Sequence, residues 1–136
     1  RILKNLNKNS QLTSLEANEK FASIAKEHIS IAGLSKNHIL KVGKSSELIT
    51  TLKEPFDFVF IDHWKDLYLI DLKLLESLGL LKQGAWIFAD NVVLFNLEDY
   101  LDYVRTSPNY LSQFIPTLRE YSKSHPDGIE ISKYSL

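Results

Sequence analysis

Short runs of β-branched and aromatic residues alternate along this chain with longer segments of helical spacing, and that alternation constrains its fold more than any other feature. QLTSLE predicts a strand over about residues 11–15, and HILKVG, FDFVFID and GAWIFAD predict three more. Between them, ANEKFASIAKEHISIAG sets Phe21, Ile24, Ala25, His28, Ile29 and Ala32 at helical spacing, with Gly33 as a C-terminal stop. SSELITTLK reads as a short helix capped by Ser45 or Ser46 and broken by Pro55. KDLYLIDLKLLESLG reads as a leucine-rich helix ending at Gly79, and LEDYLDYVRTS as a helix closed by Pro108. RILKNLNK reads as the tail of an earlier helix. The end differs: YLSQFIPTLREYS and GIEISKY predict two strands joined by the turn-rich SHPDG. Strands alternating with helices imply βα units. The expected fold is therefore α/β, with a mostly parallel sheet and an antiparallel hairpin at its C-terminal edge.

Composition narrows the partners. With 136 residues, 44% of them hydrophobic, the chain can bury a core without disulfides, and it has no cysteine to form them. A net charge of -1 gives no global field to recruit nucleic acid or an anionic membrane. No apolar run approaches the roughly 18 residues of a membrane span. The chain begins at Arg1 and contains no methionine, so it reads as part of a longer polypeptide. The expectation is one domain over residues 1–136, incomplete at its N-terminus, with a cytoplasmic location and any targeting segment upstream out of view.

In an open parallel sheet, ligands bind beyond the carboxyl ends of the strands. The first predicted strand ends in Glu16; the second in Gly43, Lys44, Ser45 and Ser46; the third in Asp62, His63, Trp64 and Lys65; the fourth in Asp90 and Asn91. Taken singly, each has a plain structural reading: Glu16, Ser45 and Ser46 as caps, His63 as a rim histidine, Trp64 as a core aromatic, Lys65 as a solvated lysine, Asp90-Asn91 as a turn. Together they suggest more. Asp62, Asp90 and Asn91 offer only oxygen ligands, a hard set suited to Mg²⁺ and unsuited to structural zinc. Lys65 lies close enough to Asp62 to face the same site, and an ammonium beside a dication gives up its proton more readily. A carboxylate at the position of Glu16 suits a ribose diol. His28, His38 and His125 show no ligand-like spacing.

At these residues the sequence resembles a known family. FVFIDHWKDLYLIDLKLLESLGLLKQGAWIFADNVV is similar to the central stretch of catechol O-methyltransferases, class I S-adenosylmethionine-dependent enzymes, and the resemblance runs from about Leu12 to Tyr134. It takes in SLEANEKF, HISIAGL, LKVGKSSELI and DGIEISKY. DHWK is its specific part, since a given four-residue string arises by chance about once in 10⁵ to 10⁶ positions. The resemblance implies a Rossmann-like class I methyltransferase sheet. It also implies Mg²⁺-dependent methyl transfer from S-adenosylmethionine to a hydroxyl of a catechol-like diol. On it, Asp62, Asp90 and Asn91 match metal ligands, Lys65 the general base, Glu16 the ribose holder, and Gly43 and Ser45 the adenine segment, with Ser46 beside them. His63 matches a cofactor contact, Trp64 an aromatic wall of the substrate pocket, and Glu120 the acid that grips the second hydroxyl and completes the catalytic pair with Lys65.

Three departures qualify the match. The family's first strand and glycine-rich cofactor loop are missing from this sequence. The expectation is a gap beside the FVFID strand that upstream residues of the same chain complete. Ser46 stands where the family commonly has glutamine. VLFN follows ADNV in place of a proline-containing turn, so Leu94 and Phe95 are expected to form a more apolar lip. The alternatives are a different phenol or diol acceptor on the same fold, and a cofactor-binding relative that has become an interaction module. A flavodoxin-like receiver leaves Trp64 and Lys65 without a role.

Overall fold

A computed structural model describes residues 9–136, which form two compact units divided between Thr51 and Leu52. The helix tail expected over residues 1–8 lies outside the described residues.

The first unit is a βαβ unit. β1 (Leu12–Glu16) runs parallel to β2 (His38–Val42), with Glu16 opposite Val42. α1 (Glu19–Ile31) connects them. Its N-cap is Asn18, whose Oδ1 accepts the backbone N–H groups of Lys20 and Phe21, two donors that a helix start would otherwise leave unpaired. Gly33 stops it in a left-handed conformation at φ 68°, where a side chain would be strained. α2 (Ser45–Ile49) follows β2. Here the sequence reading is corrected: the cap position is Lys44, no side chain among the described residues caps this helix, and Ser45 and Ser46 lie in its first turn.

The second unit holds a four-stranded sheet of order β3-β4-β6-β5. β3 (Phe56–Ile61) pairs in parallel with β4 (Leu81–Ala89) and stands at the edge. The chain then pairs antiparallel: β6 (Pro126–Tyr134) lies between β4 and β5 (Tyr110–Leu118). The α/β class and the closing hairpin are as the sequence implies. β6 begins two residues earlier than GIEISKY and so includes Asp127. β5 ends at Leu118, which leaves Glu120 on the exposed turn after it and not in a strand. α3 (Tyr68–Ser77) buries Tyr68, Asp71, Leu72 and Leu75, the i, i+3, i+4, i+7 stripe of a core-facing helix. It packs on β4 and on α4 (Glu98–Thr106), which buries Tyr100 and Val104 and packs on β5. The centre of this core, Tyr68, Leu72, Ile87, Val92 and Val104, is fully removed from solvent. At about 1.5–3 kcal/mol for each fully buried aliphatic side chain, it carries much of the unit's stability.

Candidate functional site

Ladder hydrogen bonds carry the ends of β3 and β4 to the same place. The Asp90 N–H donates to the Ile61 carbonyl at 3.1 Å, which sets Asp62 and Asp90 side by side just past β3 and β4. The Val92 N–H donates to the Gly128 carbonyl at 3.1 Å, which ties the segment after β4 to β6. Between these anchors Asn91 adopts φ 56°. Left-handed backbone is uncommon outside glycine and collects at functional sites.

Lys65 starts a 3₁₀ turn (Lys65–Leu67) and not the α-helix itself, a change that turns its side chain back over the strand ends. Its Nζ donates to Asp62 Oδ1 at 3.2 Å, to Asn91 Oδ1 at 3.3 Å, to the Asp90 carbonyl at 3.5 Å and to the Tyr68 hydroxyl. The lysine side chain is only 14% exposed, against 46% for Asp62. The ammonium thus sits in a cradle of four oxygens, with the Tyr68 ring 4.7 Å and the Phe95 ring 5.2 Å from Nζ.

Tyr68 is fully buried, and its hydroxyl also donates to the Asp90 carbonyl at 3.1 Å. Burial first, then the negative charge of Asp62 and Asp90, pushes the phenol far above its usual range, so it stays a neutral donor. His63 stacks on Tyr68 with ring centroids 5.3 Å apart, and its Nε2 pairs with buried Asp71 at 2.8 Å. Trp64 projects outward at 73% exposure, with Nε1 donating to Asp66 at 3.1 Å.

Behind Asn91 lies Asp127, which is 2% exposed. Its Oδ2 accepts from Asn91 Nδ2 at 3.0 Å; its Oδ1 accepts the N–H groups of Gly128 at 2.8 Å and Leu94 at 3.2 Å. Burial opposes the charge of Asp127, but the donors from Asn91, Gly128, Leu94 and Val93 outweigh it and hold the carboxyl below its usual range. The sequence reading missed Asp127, Tyr68 and Asp71 as site residues. Asp127 lay in the quoted DGIEISKY, and only the pairing of β6 with the loop after β4 shows why an acid precedes that glycine.

Among the described residues no group of three or more His, Cys, Asp or Glu side chains is placed to hold a metal ion. The expected set differs in kind: two carboxylates and an amide, of which Asp62, Asn91 and the Asp90 backbone already converge on one cationic group. Glu120 is exposed on its turn. In the first unit, the Glu16 carboxylate accepts the Asn18 N–H at 2.8 Å, and the Gly43 N–H donates to the Glu16 carbonyl at 3.0 Å. Gly43 adopts φ 144°, and Ser45 and Ser46 have no capping role. A groove of about 500 Å³ between α1 and β2 is lined by Ala22, Lys26, His38 and Leu40 and includes none of these four residues.

Residues 2–107 match the O-methyltransferase family. Catechol O-methyltransferase B of Danio rerio is 41% identical over 139 residues, spanning 98% of this chain and 52% of the relative. Catechol O-methyltransferase of Mus musculus is 38% identical, spanning 91% of this chain and 48% of the relative. The chain thus spans about half the length of these relatives. Among solved structures, the O-methyltransferase from Bacillus cereus in complex with SAH superposes with a TM-score of 0.79 at 25% identity, covering 92% of this chain and 63% of that one.

Proposed function

The chain belongs to the O-methyltransferase family, and on that premise we propose that it serves an enzyme that transfers a methyl group from S-adenosylmethionine to one hydroxyl of a catechol-like diol, with Mg²⁺. The observation that carries this reading is the oxygen cradle around Lys65 Nζ, formed by Asp62, Asn91 and the Asp90 carbonyl. A site that collects hard oxygens around a cationic group suits a small dication. It also keeps a base within reach of whatever oxygen that cation holds.

Asp62, Asp90 and Asn91 would hold Mg²⁺, which when bound supplies Lewis acidity that favours ionisation of a chelated hydroxyl. Lys65, as the free amine after its ammonium has released one proton to solvent, would receive the hydroxyl proton at Nζ. Tyr68, neutral and buried, keeps Nζ directed at the strand ends. Trp64, exposed beside Lys65, forms a wall against the acceptor ring. Glu120 is proposed to grip the second hydroxyl. For the cofactor, Glu16 is proposed to take the ribose hydroxyls, and Gly43, Ser45 and Ser46 the adenine side. Among the described residues, the Glu16 carboxylate is pinned at one oxygen by Asn18 and keeps its other oxygen for a donor. His63 is proposed as a further cofactor contact. The two units are proposed to belong to one methyltransferase domain.

The test is transfer from labelled S-adenosylmethionine to a simple catechol by the longest native polypeptide, with Mg²⁺ and then with excess chelator. Activity that disappears on chelation supports the reading; chelator-insensitive activity overturns the metal's role. A second reading changes only the acceptor. Phe95 reaches within 5.2 Å of Lys65 Nζ and is 51% exposed, so it makes the lip over the cradle apolar. Turnover of bulkier phenols or diols in preference to catechol would favour it.

A further inference from the structure

We propose that Asp127 is a positioning residue that decides which end of the Asn91 amide faces the oxygen cradle; the role rests on the metal reading above. A carboxamide has two ends of similar shape and opposite polarity. Its oxygen attracts a cation, and its NH₂ repels one. In Asn91 the oxygen faces inward, 3.3 Å from Lys65 Nζ, while Nδ2 donates outward to Asp127 at 3.0 Å. Nothing intrinsic to asparagine selects that orientation over the flipped one. Its two partners do: Lys65 Nζ draws the oxygen inward, and Asp127 holds the NH₂ outward from behind.

The hydrogen bonds of Asp127 show why this partner must be a carboxylate. Each one brings an N–H to it: Asn91 at Oδ2, and Gly128 and Leu94 at Oδ1. A carboxylate accepts on both oxygens and donates on neither. A flipped Asn91 would set oxygen against oxygen in a pocket where Asp127 is 2% exposed. The same carboxylate holds the Leu94 N–H, and Val92 is tied to Gly128, so the strained turn at Asn91 is braced on both sides of its amide.

The polarity argument makes two variants diverge. In Asp127→Asn, an isosteric change, the new amide must keep its oxygen toward Gly128 and Leu94, which leaves its NH₂ facing Asn91. Asn91 then stands between two donors, so its oxygen is drawn toward position 127 and no longer held only toward the cradle. In the double variant N91D/D127N the hydrogen bond survives with its direction reversed. The new amide donates to one oxygen of the carboxylate at position 91, and the other oxygen still faces the cradle. Both variants lose the same packing around position 127. Only the single one draws the Asn91 oxygen away from the cradle.

The experiment is calorimetric titration of Mg²⁺ alone into the longest native polypeptide and both variants, with thermal melting of each. Outer partners of metal ligands typically contribute 10- to 100-fold in affinity. The expected result is a loss of at least 10-fold for D127N and recovery of most of it in N91D/D127N, with both variants melting below the parent. Equal affinity of D127N and parent, or a double variant as weak as the single, overturns the role. A parent that binds no Mg²⁺ overturns the metal reading itself and this role with it, so the two failures are distinct. Should D127N not fold, side-chain amide exchange in the parent decides. Protected Asn91 Nδ2 protons are expected, and free-solvent exchange overturns the proposal.

Discussion

Asp127 and Glu130 lie on the same strand and are equally hidden from water, at 2% and 1% exposure, yet the protein answers their charges in opposite ways. Glu130 meets a guanidinium: Arg105 Nε and Nη2 donate to its two oxygens at 2.8 and 2.7 Å, a bidentate pair that neutralises it and fastens α4 to β6. Among the described residues, Asp127 meets only neutral N–H groups, which stabilise its charge without cancelling it. The first arrangement closes a structural joint. The second leaves negative potential beside the Lys65 cradle and backs a strained Asn91. Two burials of one side-chain chemistry therefore serve two ends, and the identity of the donors separates them.

The sharpest break in that comparison is Lys65→Ala. On the proposed base role, this change should lower turnover by about 10²- to 10⁴-fold, while cofactor affinity holds nearly constant; an active Lys65→Ala enzyme removes Lys65 from the base role. Arg105→Ala is the mirror image. Stranding a buried carboxylate costs about 3–5 kcal/mol when the pair is fully buried. Arg105 keeps 45% of its side chain in solvent, so about 2–3 kcal/mol is expected, with a melting temperature roughly 5–10 °C lower and unchanged turnover per folded molecule. A large fall in turnover at constant fold would erase the distinction between the two carboxylates.

Glu76 extends the comparison to a third carboxylate, which accepts the hydroxyls of Tyr103 at 2.7 Å and of Tyr110. Burial and the bond to Glu76 push the Tyr103 phenol up to about 12, and push Tyr110 up further. An unfolded tyrosine titrates near 10. Below that value both states keep the proton and the stabilisation is complete. Between about 10 and 12 the unfolded chain loses the proton first, so stability falls as pH rises. Denaturant melts across this window should show the fall in the parent, and a Tyr103→Phe, Tyr110→Phe variant should show a shallower one. The smallest effect is expected at Trp64→Ala. At 73% exposure its removal should change stability by no more than about 0.5 kcal/mol, while on the proposed pocket role KM for the diol rises. An unchanged KM would take Trp64 out of the pocket.

Much of the second unit was legible from periodicity. FDFVFID, GAWIFAD and the leucine-rich helix stand close to where their apolar spacing places them, because burial on a sheet or helix face imposes a period that sequence records. The acids and the lysine at the strand ends were legible for the same reason, since a polar run after an apolar strand marks the rim. The cap of α2 was not. Two serines sat at the expected place, but the chain enters that helix at Lys44, and a cap depends on local backbone angles that composition does not record. Glu120 was read as part of a strand because YLSQFIPTLREYS continues past the point where pairing with β6 ends at Leu118.

By itself, then, the sequence determined the order of strands and helices, the rim on which chemistry can sit, and through DHWK and ADN the family to which the chain belongs. These are properties of neighbours along the chain, where side-chain period and residue type act locally. Tertiary structure alone decided that Lys65 turns into a cradle made by Asp62, Asp90 and Asn91, that Tyr68 holds it there, and that Asp127 stands behind the Asn91 amide. The direction of a hydrogen bond depends on what arrives from another strand, and the pairing of β4 with β6 brings those partners together only once the chain has folded.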